Sequence, residues 1–187
     1  MNTTTQNHED ENSGRSQARA QLNSVLEMVA ALECDFNRLE ELRDAREELR
    51  EDFNDIPEND GVDFDSWARH QHAMTSEECD ELAELEAAAG DCRDQDAAQQ
   101  RIYADALSVE VRSGWQSQGE TLEPEEFRIV LCTGGPHCQL VGELQDGEPT
   151  RVWMEYSDWG TGLIEFPTRG SDNAALLTYA QQFYFGE

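Results

Sequence analysis

The sequence predicts an α+β protein: an N-terminal antiparallel helical hairpin, then a small antiparallel β-sheet with a C-terminal helix. Three observations carry this expectation. Apolar residues recur at helical spacing from Leu22 to Ala106. From residue 108 the period changes to two, with Val109 and Val111 alternating with Glu110 and Arg112. Asp146-Gly147 separates two alternating runs, which is the signature of a tight hairpin.

The elements follow in order. Residues 1–16 are polar with almost nothing to bury, and are expected to be a disordered tail. Residues 17–107 are expected to form the acidic helical hairpin. Its first helix, 17–53, carries Leu22, Val25, Val29, Leu32, Phe36 and Leu39 at heptad spacing. The register then slips, and Leu42, Ala45, Leu49 and Phe53 continue the stripe as a stutter would. Pro57 and Gly61 mark a turn-rich acidic loop, from which Trp67 and Met74 return to the helices. The second helix, 75–107, begins at an N-cap, Thr75 or Ser76, with Glu77, Glu78 and Asp80 in its first turn. Its stripe is Cys79, Leu82, Leu85, Ala89 and Cys92, then Ile102, Tyr103 and Ala106, weakened in the middle by Gly90 and a polar run. Residues 108–187 are expected to form the sheet module. Strands centre on Val109–Val111, Phe127–Leu131, Leu140–Leu144, Val152–Tyr156 and Leu163–Phe166, and a last helix is capped by Ser171.

Charge narrows the partners. The chain has 187 residues, 41 acidic and 13 basic, and a formal net charge of −28. Every basic residue is arginine, as in a GC-rich genome or a halophile. Five cysteines, seven phenylalanines and an uneven charge distribution argue against the halophile. Direct binding of nucleic acid or an anionic membrane is not expected. The N-terminus lacks a basic start followed by an apolar stretch, so a cytoplasmic protein with reduced thiols is expected.

The acid is concentrated. Residues 51–96 hold sixteen carboxylates against Arg69 and Arg93. On the first helix, Glu40–Arg43 and Glu47–Arg50 fall at i,i+3 and are expected to neutralise one another. Solubility asks for a net charge of only about 2 to 8. Uncompensated carboxylates at successive helical turns can imitate a phosphate strand. The candidate partner-binding residues are therefore Asp60, Asp63, Asp65, Glu77, Glu78, Asp80, Glu81, Glu84, Asp91, Asp94 and Asp96. Their expected partner is a host protein complex that holds nucleic acid. The rival reading is an adaptor or homodimer paired through the first helix's heptad stripe.

Chemistry-bearing motifs are sparse. There is no P-loop, GxGxxG, GxSxG or HExxH, so no enzyme and no cofactor is expected. The loop IPENDGVDFDSW fails the calcium-loop pattern, since Ile56 and Trp67 would occupy its first and last ligand positions; weak cation binding by Asp60, Asp63 and Asp65 is the residual alternative. CTGGPHC crowds Cys132, His137 and Cys138 into one turn without a fourth zinc ligand or a group to orient a catalytic base. His70 and His72 stand at i,i+2, the wrong spacing for a shared metal on a helix. Trp115, Trp153, Trp159 and Tyr156 are expected in the core.

The C-terminal stretch FRIVLCTGGPHCQLVGELQDGEPTRVWMEYSDWGTG, with the end LLTYAQQFYFGE, resembles uncharacterised small acidic proteins carried by proteobacterial plasmids and integrative elements. The resemblance covers roughly the last 80 residues, within the size of one domain. It implies a mobile-element accessory protein, by analogy one of the antirestriction or anti-CRISPR kind. It carries no residue-level chemistry.

Overall fold

The computed structural model describes residues 3–55, 63–70 and 74–186, with the backbone alone for 3–12, 65, 69 and 70. The chain is α+β, as expected: helices first, then a five-stranded antiparallel sheet and a C-terminal helix. The helices are α1 (Thr3–Leu32), α2 (Phe36–Asn54), α3 (Phe64–His70), α4 (Ser76–Ala89) and α5 (Gln95–Asp105). The strands are β1 (Ser108–Arg112), β2 (Glu126–Cys132), β3 (His137–Gln145), β4 (Glu148–Ser157) and β5 (Ile164–Glu165), and α6 is Gly170–Ala180.

Each expected long helix is broken once, at a residue able to cap the next. The first helix stops between Leu32 and Phe36, within the run that read as regular heptads, whereas the slip after Leu39 lies inside the continuous α2. Asp35 accepts the Arg38 N–H at 3.0 Å and starts α2. In the second, Gly90 ends α4 at a positive φ, and Asp94 accepts the Ala97 N–H at 2.7 Å at the head of α5. The start of α4 is as expected: Thr75 and Glu78 form a reciprocal capping box.

The chain divides into two compact units, Met1–Val29 with Ala98–Glu187, and Ala30–Ala97. The boundary expected at 107/108 is therefore not where the contacts divide. The cause is α1, whose first part belongs to the sheet unit. Helix is assigned from Thr3, inside the stretch expected to be a tail. From Gly14 onward this helix is tied down: the Gly14 N–H donates to the Asp158 carboxylate at 2.8 Å, and Ala18, Leu22 and Val25 are fully buried. A Cβ on Gly14 would lie 3.1 Å from that carboxylate, so the close approach suits glycine.

In the sheet unit the strand order is β1-β2-β3-β4-β5. Asp146 and Gly147 both take positive φ, which gives the β3–β4 turn the twist the strands need. One face carries the core: Ile129, Leu140, Met154, Leu176 and Tyr179 are fully enclosed, and the Phe127 ring packs tilted against Phe185. Asp172 rather than Ser171 closes the start of α6, accepting the Arg169 N–H. In the other unit α2 packs on α3 and α4 around Leu39, Leu42, Leu49, Met74 and Leu82. Phe53, Phe64 and Trp67 cluster at one end, as anchors for the returning chain.

Candidate functional site

The helical unit sorts its carboxylates by position around each helix. On α4, Leu82 and Ala89 are buried, and Glu77, Asp80 and Glu84 point away from them at i, i+3, i+7. These three are exposed and have no hydrogen-bond or ion-pair partner among the described residues, and the same holds for Asp91 and Asp96. Other candidates have structural partners. Glu78 closes the capping box, Asp94 caps α5 and pairs with Arg93, and Asp63 accepts the Ser66 N–H at 3.1 Å. Glu81 meets Arg38 side-on at 2.9 and 3.1 Å. Asp60, with Pro57, Gly61 and His72, lies outside the described residues, as do the side chains of Asp65 and His70.

The arginines of α2 are the decisive detail. The expected pairs Glu40–Arg43 and Glu47–Arg50 are not formed. Arg43 reaches Glu86 on α4 at 3.3 Å, Arg38 bridges Glu81 and Glu41, and Arg50 lies over the Phe64 ring. Drawn toward the neighbouring helices, they leave Glu40, Asp44, Glu47 and Glu51 exposed and without a partner among the described residues. These four fall at i, i+4, i+7, i+11, opposite Leu39, Leu42 and Leu49. Sequence reasoning dismissed this row because local spacing alone cannot show that an arginine prefers a partner on another helix.

Each row thus faces outward. The α2 row spans about 16 Å and the α4 row about 10 Å at 1.5 Å per residue, roughly one charge every 5 Å. For packed helices with axes 8–10 Å apart and side-chain radii of about 5–6 Å, the rows lie on the order of 20 Å from each other. That is comparable with the separation of the two backbones of a nucleic-acid duplex.

Arg38 holds the Glu81 carboxyl below the ordinary glutamate value through its hydrogen bonds. The pair's stabilisation is therefore present at neutral pH and lost as pH falls through the depressed value. Arg38→Ala is expected to lower the thermal midpoint modestly, because both groups are solvent-exposed, and to flatten the acid limb of a stability–pH curve. An unchanged acid limb would show that the pair contributes nothing.

The sheet's open face is the second surface. Across it run Glu110, Arg128, Val141 and Trp153 in one row, and Arg112, Glu126, Glu143 and Arg151 in the next. Ion pairs Glu110–Arg128, Arg112–Glu126 and Glu143–Arg151 tie neighbouring strands. A groove of about 550 Å³ follows this face. Its buried Gln139 donates to Glu155 at 2.9 Å and meets His137 at 3.0 Å, and Trp153 Nε1 donates to Glu155 at 3.1 Å. The charges here are internally matched, unlike those on α2 and α4.

These contacts bear on several sequence expectations. Trp115 and Trp159 are exposed rather than in the core, while Trp153 and Tyr156 are half-buried. The heptad stripe offered for pairing between chains is already used within the chain: Leu22 and Val25 are 0% exposed, Val29 4% and Leu32 8%. His137 bonds Gln139, and the Cys132 thiol donates to the Pro136 carbonyl, so the two do not form a nucleophile–base pair. Among the described residues no three His, Cys, Asp or Glu side chains gather as a metal site, and no helix is long and apolar enough to cross a membrane. Comparison with protein-family models, curated proteins and solved structures finds no match.

Proposed function

We propose that this protein is a non-enzymatic inhibitor from a mobile genetic element, acting in the bacterial cytoplasm. It occupies the nucleic-acid site of a host defence complex, a CRISPR effector or restriction enzyme. The α2 and α4 rows lie where phosphates would lie and meet the arginines and lysines of that site. One observation carries the reading: Arg38 and Arg43 of α2 reach Glu81 and Glu86 of α4, and both outward rows stay without partners among the described residues despite the self-repulsion this costs. The choice of a defence complex as target rests on the resemblance of the C-terminal stretch. The row on α2 enlarges the candidate set with Glu40, Asp44, Glu47 and Glu51. The capping and ion-paired Glu78, Glu81 and Asp94 serve the fold.

The test uses purified CRISPR effector and restriction complexes, each assayed for binding and nuclease inhibition at two salt concentrations with duplex DNA as competitor. The expected result is inhibition of at least one complex, weakened steeply by salt and displaced by DNA. Reversing Glu40, Asp44, Glu47, Glu77, Asp80 and Glu84 to lysine should weaken inhibition by ~100-fold or more, with the helical circular dichroism retained. Inhibition unchanged by the reversal, or insensitive to salt, would overturn the reading.

A further inference from the structure

The turn joining β2 to β3 brings two thiols together. Cys132 stands opposite Cys138 in the antiparallel register. That register shifts between Val130 and Cys132, so Leu131 and Cys132 together oppose one residue of β3. Such a bulge turns Cys132 to the face that Cys138 shares with Leu140. Strict alternation from Ile129 and Leu131 would have pointed it the other way. Directly opposed residues in an antiparallel pair have Cα atoms about 4.5–5.5 Å apart. A disulfide needs roughly 4.4–6.8 Å.

The side chain stays at the same turn: the Cys132 thiol donates to the Pro136 carbonyl at 3.7 Å. Both residues are free thiols. Cys138 is fully buried and Cys132 half-buried, so a reagent from solvent meets Cys132 first. Burial raises both thiols, Cys138 to about 12, with the Asp105 carboxylate adding to the effect. The pair therefore rests as two protonated thiols at neutral pH.

We propose that Cys132 and Cys138 form a reversible oxidation site, closing to a disulfide across the β2–β3 turn when the protein meets a peroxide. Cys132 first gives up its proton to solvent, its sulfur then attacks one peroxide oxygen, and the O–O bond breaks. Cys132 becomes a sulfenic acid, and the departing hydroxide takes up the proton Cys132 released, giving water. The Cys138 sulfur then attacks the sulfenic sulfur. An S–S bond forms, the S–O bond breaks, and that hydroxide leaves as water with the Cys138 proton. In sum two thiols lose two hydrogens and one peroxide becomes two waters. A dithiol reductant reverses the change.

The sequence makes the test direct. With no lysine in the chain, trypsin cleaves only at arginine, and peptide 129–151 holds Cys132, Cys138 and no other cysteine. The full chain is treated with hydrogen peroxide, denatured, alkylated and digested. The expected peptide is unalkylated and lighter by two hydrogens, and prior treatment with dithiothreitol restores two alkyl labels. In Cys132→Ser, Cys138 should stay alkylatable under the same dose. The proposal fails if both cysteines of wild-type peptide 129–151 remain labelled. It fails equally if Cys132 advances to sulfinic acid while Cys138 stays labelled, or if either cysteine couples to a peptide carrying Cys34, Cys79 or Cys92.

Discussion

Replacing Gly142 with alanine is expected to destabilise the sheet unit by about 3 kcal/mol or more, the upper range of overpacking in a close-packed core. Gly142 sits mid-β3, between Phe127 on β2 and Val152 on β4. A Cβ there would fall well inside contact distance of the Arg151 carbonyl oxygen and of the Phe127 ring. Neither neighbour yields cheaply. The carbonyl belongs to the β3–β4 ladder, and the ring is 3% exposed with its centroid 4.7 Å from that of Phe185. With total stabilities of roughly 5–15 kcal/mol, such a loss leaves a marginal domain. Urea unfolding followed by sheet-sensitive circular dichroism would measure it. Phe127→Ala should cost less in the Gly142→Ala background than in wild type, because the ring clash is gone there, while the carbonyl clash keeps the double variant well below wild type. A midpoint matching wild type would show that the strands separate freely at this position.

That glycine illustrates what was legible. The alternation Leu140, Gly142, Leu144 placed β3 and its inward face correctly, since period two is a direct property of the pleat. Why the middle position is glycine was not legible, because the ring filling the space comes from another strand. The helices tell the same story. Apolar spacing located α1, α2, α4 and α5, yet Asp35 was read through, because an acid one step off the stripe looks like surface until its carboxylate is seen on the Arg38 amide. Residues 17–29 of α1 read as part of the hairpin because a heptad stripe does not say what it packs against. In the protein it is buried within the sheet unit.

The outward carboxylate rows were legible in composition and half legible in detail. Counting charge along the chain found the exposed carboxylates of α4. It missed α2, where four arginines among nine acids in residues 33–52 suggested local balance. Balance depends on where each guanidinium goes, and Arg38 and Arg43 go to Glu81 and Glu86. An ion pair across helices cannot be read from i,i+3 spacing. The same contacts remove Glu81 from the candidate surface and add Glu40, Asp44, Glu47 and Glu51 to it.

Asp105 and Tyr179 carry the second large effect. The Tyr179 hydroxyl, on a fully buried ring, donates to the Asp105 carboxylate at 2.8 Å. Desolvation raises the Asp105 carboxyl above its ordinary value, opposed by the Tyr179 hydrogen bond and by the charge of Arg101. Burial and the adjoining carboxylate push the phenol well above its own ordinary range. With a raised folded value, Asp105 binds its proton more tightly in the folded state. Its contribution is most favourable below the ordinary value of 3.8 and declines as pH rises through the raised value. At neutral pH the buried charge is a net cost relieved mainly by one hydroxyl. Tyr179→Phe removes that donor and is expected to cost about 1–3 kcal/mol at pH 7. Its penalty should shrink on acidification, where a protonated Asp105 has less need of the donor. Asp105→Asn keeps an acceptor for the hydroxyl without the charge, so it should raise stability at neutral pH and converge with wild type in acid. Subtracting the two stability–pH curves removes the background from the remaining carboxylates, which both proteins share. An Asn variant less stable than wild type at pH 7 would mean that Arg101 and Tyr179 together more than offset the desolvation, and that the carboxylate is held there as a favourable charge.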